Sequence, residues 1–109
     1  MTIQNSHIIR FDVFASKKHK ALILAAIGDK KKGCYVYIDE KDNALYVGKS
    51  SDLVSRLKHH STPQGIEIKI PNWKYLGIVF SNNPHLTEQE LILQLQPTLN
   101  ILSKWKNWE

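Results

Sequence analysis

The chain has 109 residues, enough for one modest hydrophobic core and too few for a second domain with a core of its own. Lys and Arg number 15 against 10 Asp and Glu, and the resulting net charge of +5 favours a polyanionic partner. Cys34 is the single cysteine, which excludes an intramolecular disulfide, the Cys and His residues lack zinc-ligand spacing, and no apolar run reaches the length of a membrane span.

The expected setting is therefore a reducing, cytoplasmic one with no membrane association. The longest apolar stretch, from Ala21 to Ile27, is short, carries lysines on both sides and follows a mixed polar opening, so it does not read as a signal peptide. His7 to Phe14 reads as a strand built on Ile8, Ile9, Phe11, Val13 and Phe14. Ser16 is the expected cap of a helix over 17–27 that Gly28 ends. The first turn of that helix, Lys17-Lys18-His19-Lys20, sets positive charge against the helix dipole, and Asp29-Lys30-Lys31-Lys32 reads as a polar connector.

Cys34 to Asp39 is aromatic and β-branched, Glu40 to Asn43 is turn-like, and Ala44 to Val47 returns, which together predict a β-hairpin that Gly48 terminates. Ser50 or Ser51 is the expected cap of a helix running to about His60, with Leu53, Val54 and Leu57 as its buried stripe. Pro63 and Gly65 mark a loop. Ile66, Ile68 and Ile70 alternate with charged residues and predict a short strand or extended arm, and Tyr75 to Phe80 predicts a strong strand. Asn83-Pro84 opens a last helix that runs to Leu95 or Gln96, where Pro97 stops it, with Asn100 just beyond. The expected fold class is α/β, a small, mostly antiparallel sheet flanked by helices. Residues 1–32 are expected to pack as an N-terminal extension on a core of residues 33–109, within one domain.

The order of chemically able residues is more specific than any element. Gly33-Cys34-Tyr35 is followed by Tyr46-Val47-Gly48, with the tyrosines eleven positions apart; Arg56 follows the second tyrosine by ten and His60 follows Arg56 by four. Glu88 and Asn100 come later. This pattern resembles the GIY-YIG nuclease family, with the two triplets in the forms GCY and YVG, and it covers residues 33–100. The stretch Leu45 to Leu53 looks more like the excision-repair subunit branch of that family than the homing-endonuclease branch. Cys34 within the first triplet and Asp52, where the family often has asparagine, are the departures.

The resemblance implies hydrolysis of a DNA phosphodiester, in repair or restriction, with RNA left open as substrate. Arg56 suits the charge-clamp role because a planar guanidinium matches two phosphate oxygens. It shares a helix face with His60, a candidate proton relay or phosphate contact. Lys49, Ser50 and Lys58 are expected to add nucleic-acid contacts. Both tyrosines carry over as cleft residues, with Tyr46 the preferred base. Asn100 carries over as a polar residue holding the water or a tyrosine.

Glu88 leads the stripe Leu91, Ile92 and Leu95 and is expected to face the sheet and the cleft. Glu90 aligns with Gln94 on a wetter face, and Thr87 and Glu90 match a capping box should the helix start late. The closing segment from Glu88 to Asn100 resembles the family's last motif, which makes Glu88 the expected ligand of a single hydrated Mg2+ or Mn2+. A chain of this size has no room for a separate DNA-binding domain, so the expectation is a compact nuclease with weak intrinsic sequence specificity, or one that gains specificity from a homodimer or a partner protein. The reading from a different class is a non-catalytic nucleic-acid-binding module on the same fold. The aromatic tail, with Trp105 and Trp108, is expected to pack on the domain or on a partner subunit.

Overall fold

Strands β1 (Ile9–Ser16), β2 (Gly33–Asp39), β3 (Ala44–Ser50) and β4 (Trp73–Phe80) form one antiparallel sheet in the order β1-β4-β2-β3, in a computed structural model that describes residues 9–16, 20–29 and 31–101. The helices are α1 (Lys20–Ile27), α2 (Leu53–His60), α3 (Pro84–Leu95) and the single turn α4 (Thr98–Ile101), with a 3-10 turn at Glu67–Lys69.

The hairpin β2–β3 is set by its turn. The Asp39 carboxylate accepts from the backbone N–H groups of Lys41 and Asn43, each at 2.9 Å, and Asp42 takes a positive φ of 67°. These bonds, Asn43's backbone foremost, hold the Asp39 carboxyl below its usual range. Strand alternation then sorts the side chains. Tyr35, Tyr37 and Tyr46 enter one core with Ile23 and Ile27 of α1, Leu53 and Leu57 of α2, and Leu76 and Ile78 of β4. Cys34, Val36, Ile38 and Val47 enter a second core with Leu91 of α3. The sheet is thus sandwiched, with α1 and α2 on the tyrosine face and α3 on the aliphatic face.

Several expected elements shift. The first strand runs to Ser16, which pairs with Tyr75, and the start expected for the next helix, residues 17–19, falls outside the described residues. His7 and the basic residues Lys17, Lys18 and His19 lie outside the described residues, as do Trp105 and Trp108. Gly28, at φ 81°, ends α1 as expected. Gly48 does not terminate β3, because it pairs with Tyr35 and the strand continues to Ser50. Asp52, not Ser50 or Ser51, caps α2, its side chain accepting from Ser55 N–H at 3.2 Å.

Ile66 to Ile70 is no strand. The 3-10 turn buries Ile66 and Ile70 and leaves Ile68 66% exposed, since a spacing of four closes about one turn whereas the intermediate residue points away. Asn83 caps α3 as expected, accepting from Leu86 N–H at 3.4 Å, and Gln96 closes it in the left-handed conformation at φ 48°. Thr87 consequently lies within α3, where its hydroxyl meets that of Ser81 at 2.6 Å, and the late capping box does not form. Asn100 lies inside α4 rather than after the last helix.

Candidate active site

Tyr35, Tyr37 and Tyr46 are all fully buried on one sheet face. Tyr35 is tied to α2. Its hydroxyl lies 2.6 Å from Nε2 of His60, which is itself buried at the last turn of that helix. The rings of Tyr35 and Tyr46 are 6.5 Å apart, and those of Tyr35 and His60 are 5.2 Å apart, edge-on. Tyr37 turns to the other side, where its hydroxyl donates to the Glu67 carboxylate at 2.5 Å and its ring meets Trp73 edge-on. Burial first, then the neighbouring phenols Tyr35 and Tyr46, push the Tyr37 hydroxyl well above the usual phenol range, so it is neutral and structural at ordinary pH.

Gly48 explains how Tyr35 reaches its place. A Cβ at Gly48 would stand 2.3 Å from both Cζ and the hydroxyl of Tyr35, so the ring lies directly over the β3 backbone and the strand must be bare there. The glycine that closes the second triplet is a seat for the tyrosine of the first.

Lys49 follows on the opposite sheet face. It pairs with Cys34 in register and its ammonium meets Glu88 Oε1 of α3 at 3.1 Å. Glu88 is only 5% exposed, whereas Lys49 is 33% exposed, so the pair sits at the margin of the fold with its lysine toward solvent. Glu90 is exposed, as the helical stripe predicts. Glu88 is buried, and among the described residues no group of three or more His, Cys, Asp or Glu side chains could cage an ion. Glu88 is the carboxylate that would hold a hydrated Mg2+ or Mn2+.

Asn100 clamps the edge of the sheet. Its Oδ1 accepts from Val47 N–H at 2.7 Å and its Nδ2 donates to Val47 C=O at 2.8 Å, so a side-chain amide pairs the backbone groups that β3, an edge strand, does not share with β2. The clamp fixes the residue next to Tyr46 rather than reaching the tyrosine hydroxyls. Arg56 is half-buried on α2, one turn before His60, while Lys58 and His59 are exposed on the same helix. Ser50 shapes the entry to α2, its hydroxyl donating to Asp52 C=O at 2.8 Å and accepting from Asp52 N–H at 2.9 Å.

The structure thus brings the expected residues together in two groups. Tyr35, Tyr46 and His60 form one, on the face covered by α2, the helix that carries Arg56. Lys49 and Glu88 form the other, on the α3 face, and β3 carries members of both. Sequence spacing gave no sign of the Tyr35–His60 or Lys49–Glu88 contacts, which span 25 and 39 positions.

A paired-tyrosine hairpin followed directly by an arginine-bearing helix and closed by a glutamate helix defines the GIY-YIG nuclease class. The chain belongs to the UvrC-like GIY-YIG domain family, whose model matches residues 31–101, from the approach to β2 to the end of α4. Its relatives include proteins named UvrABC system protein C. That of Mycoplasma pneumoniae is 30% identical over 83 residues, covering 71% of this chain and 14% of the relative. That of Porphyromonas gingivalis strain W83 is 32% identical over 82 residues, covering 69% and 14%, and that of Ruegeria sp. strain TM1040 is 34% identical over 80 residues, covering 68% and 13%. The chain therefore spans about one seventh of the length of these curated relatives. Among the described residues no helix is long and apolar enough to cross a membrane.

Proposed function

We propose that the chain is an endonuclease module that hydrolyses a phosphodiester bond of DNA. The observation that carries this reading is the buried hydrogen bond of 2.6 Å between the Tyr35 hydroxyl and His60 Nε2, beside the Tyr46 ring. A free phenol titrates near pH ~10, so it serves as a base near neutrality only where its proton has somewhere to go or positive charge favours its anion. His60 gives Tyr35 such a partner, and Arg56 and Lys49 bring cations to the same helix and strand.

In this reading Tyr46, as its phenolate, takes the proton of the attacking water and becomes the neutral phenol, while Tyr35 is held beside it by His60. Arg56 clamps the non-bridging phosphate oxygens through its planar fork. Lys49, the more exposed member of its pair, stands where it can contact the phosphate, and Glu88 would hold the ion. Mg2+ or Mn2+ bound at Glu88 supplies Lewis-acid polarisation of the phosphate. Asn100 acts by position, holding Val47 and hence its neighbour Tyr46. The setting we propose is DNA repair, with the target chosen by a second copy of the chain or a partner protein.

The pairing of Glu88 with Lys49 favours one competitor, a binding module in which that carboxylate only neutralises a lysine. Supercoiled plasmid separates the two. Incubated with Mg2+ or Mn2+, the wild type is expected to nick it, and both EDTA and Glu88→Gln to abolish nicking. Binding without nicking by the wild type would leave the binding module standing.

A further inference from the structure

The connector before β2 was legible in the sequence only as polar, yet the fold holds it tightly. Lys31 C=O accepts from Leu53 N–H at 2.9 Å, at the start of α2, and Lys32 C=O accepts from Ser81 N–H at 3.1 Å, just past β4. Directly after it, Gly33 pairs with Ser50 and Cys34 pairs with Lys49. Lys32 therefore stands two residues, about 7 Å of strand, from the position that faces Lys49. Both connector side chains are exposed, and neither makes an ion pair with another described residue. The nearby acids do not cancel them. Asp52 is engaged in capping α2, and Asp29 is one exposed carboxylate against two exposed ammonium groups.

We infer that Lys31 and Lys32 continue from Lys49 as a track for the phosphodiester backbone of nucleic acid, lengthening the footprint of the site along the rim where β2 begins and β3 ends. The inference rests on the nuclease reading above. Backbone carbonyls, not side chains, tie the connector to the fold, so its lysines are free to differ in chemistry without loss of structure. Placing cations side by side at this margin is unfavourable until a polyanion arrives, and a backbone of regularly spaced phosphates is the ligand whose geometry a short lysine track matches.

The test is binding of a fluorescently labelled DNA duplex at a series of salt concentrations, in EDTA so that no cleavage occurs. The protein is compared with K31Q/K32Q and with K41Q, whose lysine lies in the hairpin turn at the far end of β2. The slope of log affinity against log salt is expected to fall by roughly 1 to 2 in K31Q/K32Q, with the same loss on unrelated sequences, and to stay unchanged in K41Q. An unchanged slope in K31Q/K32Q, with normal binding by the unaltered protein, overturns the track and leaves the nuclease reading intact. An equal loss in K41Q overturns it too, because the effect would then be one of net charge. Failure of the unaltered protein to bind DNA overturns both. Melting curves of the variants should match that of the parent protein.

Discussion

The two faces of the sheet are built from the same strands and differ in kind. Toward α3, Cys34, Val36, Ile38, Val47 and Leu91 make a small aliphatic core, and the buried carboxylate of Glu88 sits at its margin. Toward α1 and α2, three phenols and an imidazole occupy the centre of the packing, two of them in a 2.6 Å hydrogen bond. A core gains more from aliphatic side chains of equal volume, which bring no hydroxyl needing a partner. Under the proposed nuclease reading the phenol-rich face has a use beyond packing, and β3, bearing Tyr46 on one face and Lys49 on the other, joins the two.

Substitutions on each face sharpen the contrast. The largest expected effect is on the rate at the tyrosine face: Tyr46→Phe should slow plasmid nicking by about 10²- to 10⁴-fold, with little change in melting. Leu91→Ala on the α3 face should do the reverse, costing about 2–5 kcal/mol in urea unfolding while nicking below the transition stays near normal. Equal losses of rate and stability in both variants would erase the distinction. Gly48→Ala should fall between them. The added methyl must displace the Tyr35 ring, at about 1–3 kcal/mol of overpacking, so both nicking and stability should drop.

The smallest effect is confined to alkaline pH. Tyr37 holds its proton above its ordinary range when folded, while the unfolded chain releases it near pH ~10. Its contribution to stability is thus complete below that point and is lost as pH rises toward the folded value, at up to about 1.4 kcal/mol per pH unit. Urea unfolding from pH 8 to 11 should show a shallower alkaline decline in Tyr37→Phe than in the wild type.

The sequence displayed the hairpin, the helix that starts at Asn83-Pro84 and the inward direction of Glu88, because each depends on local periodicity or turn chemistry. It misrepresented Gly48 as a strand end, since a glycine bared for a distant ring looks the same in sequence as one that breaks a strand. Ile66, Ile68 and Ile70 misled for a related reason: buried residues four apart suit a tight helical turn as well as alternation does, and only Trp73 and the tyrosine core decide between them. The two hydrogen bonds of Asn100 to Val47 and the pairing of Lys49 with Glu88 join residues 53 and 39 positions apart, distances at which no local rule operates.

The Tyr35–His60 bond is the centre of the account, and a double-mutant cycle on plasmid nicking tests it most directly. Tyr35→Phe, His60→Gln and the double variant would be compared with the wild type at matched folded fraction. If the phenol and imidazole act as one unit, each single change slows nicking strongly and the double variant is no slower than the worse single. Multiplying effects, or single variants that nick at the wild-type rate, would contradict a shared role in the chemistry.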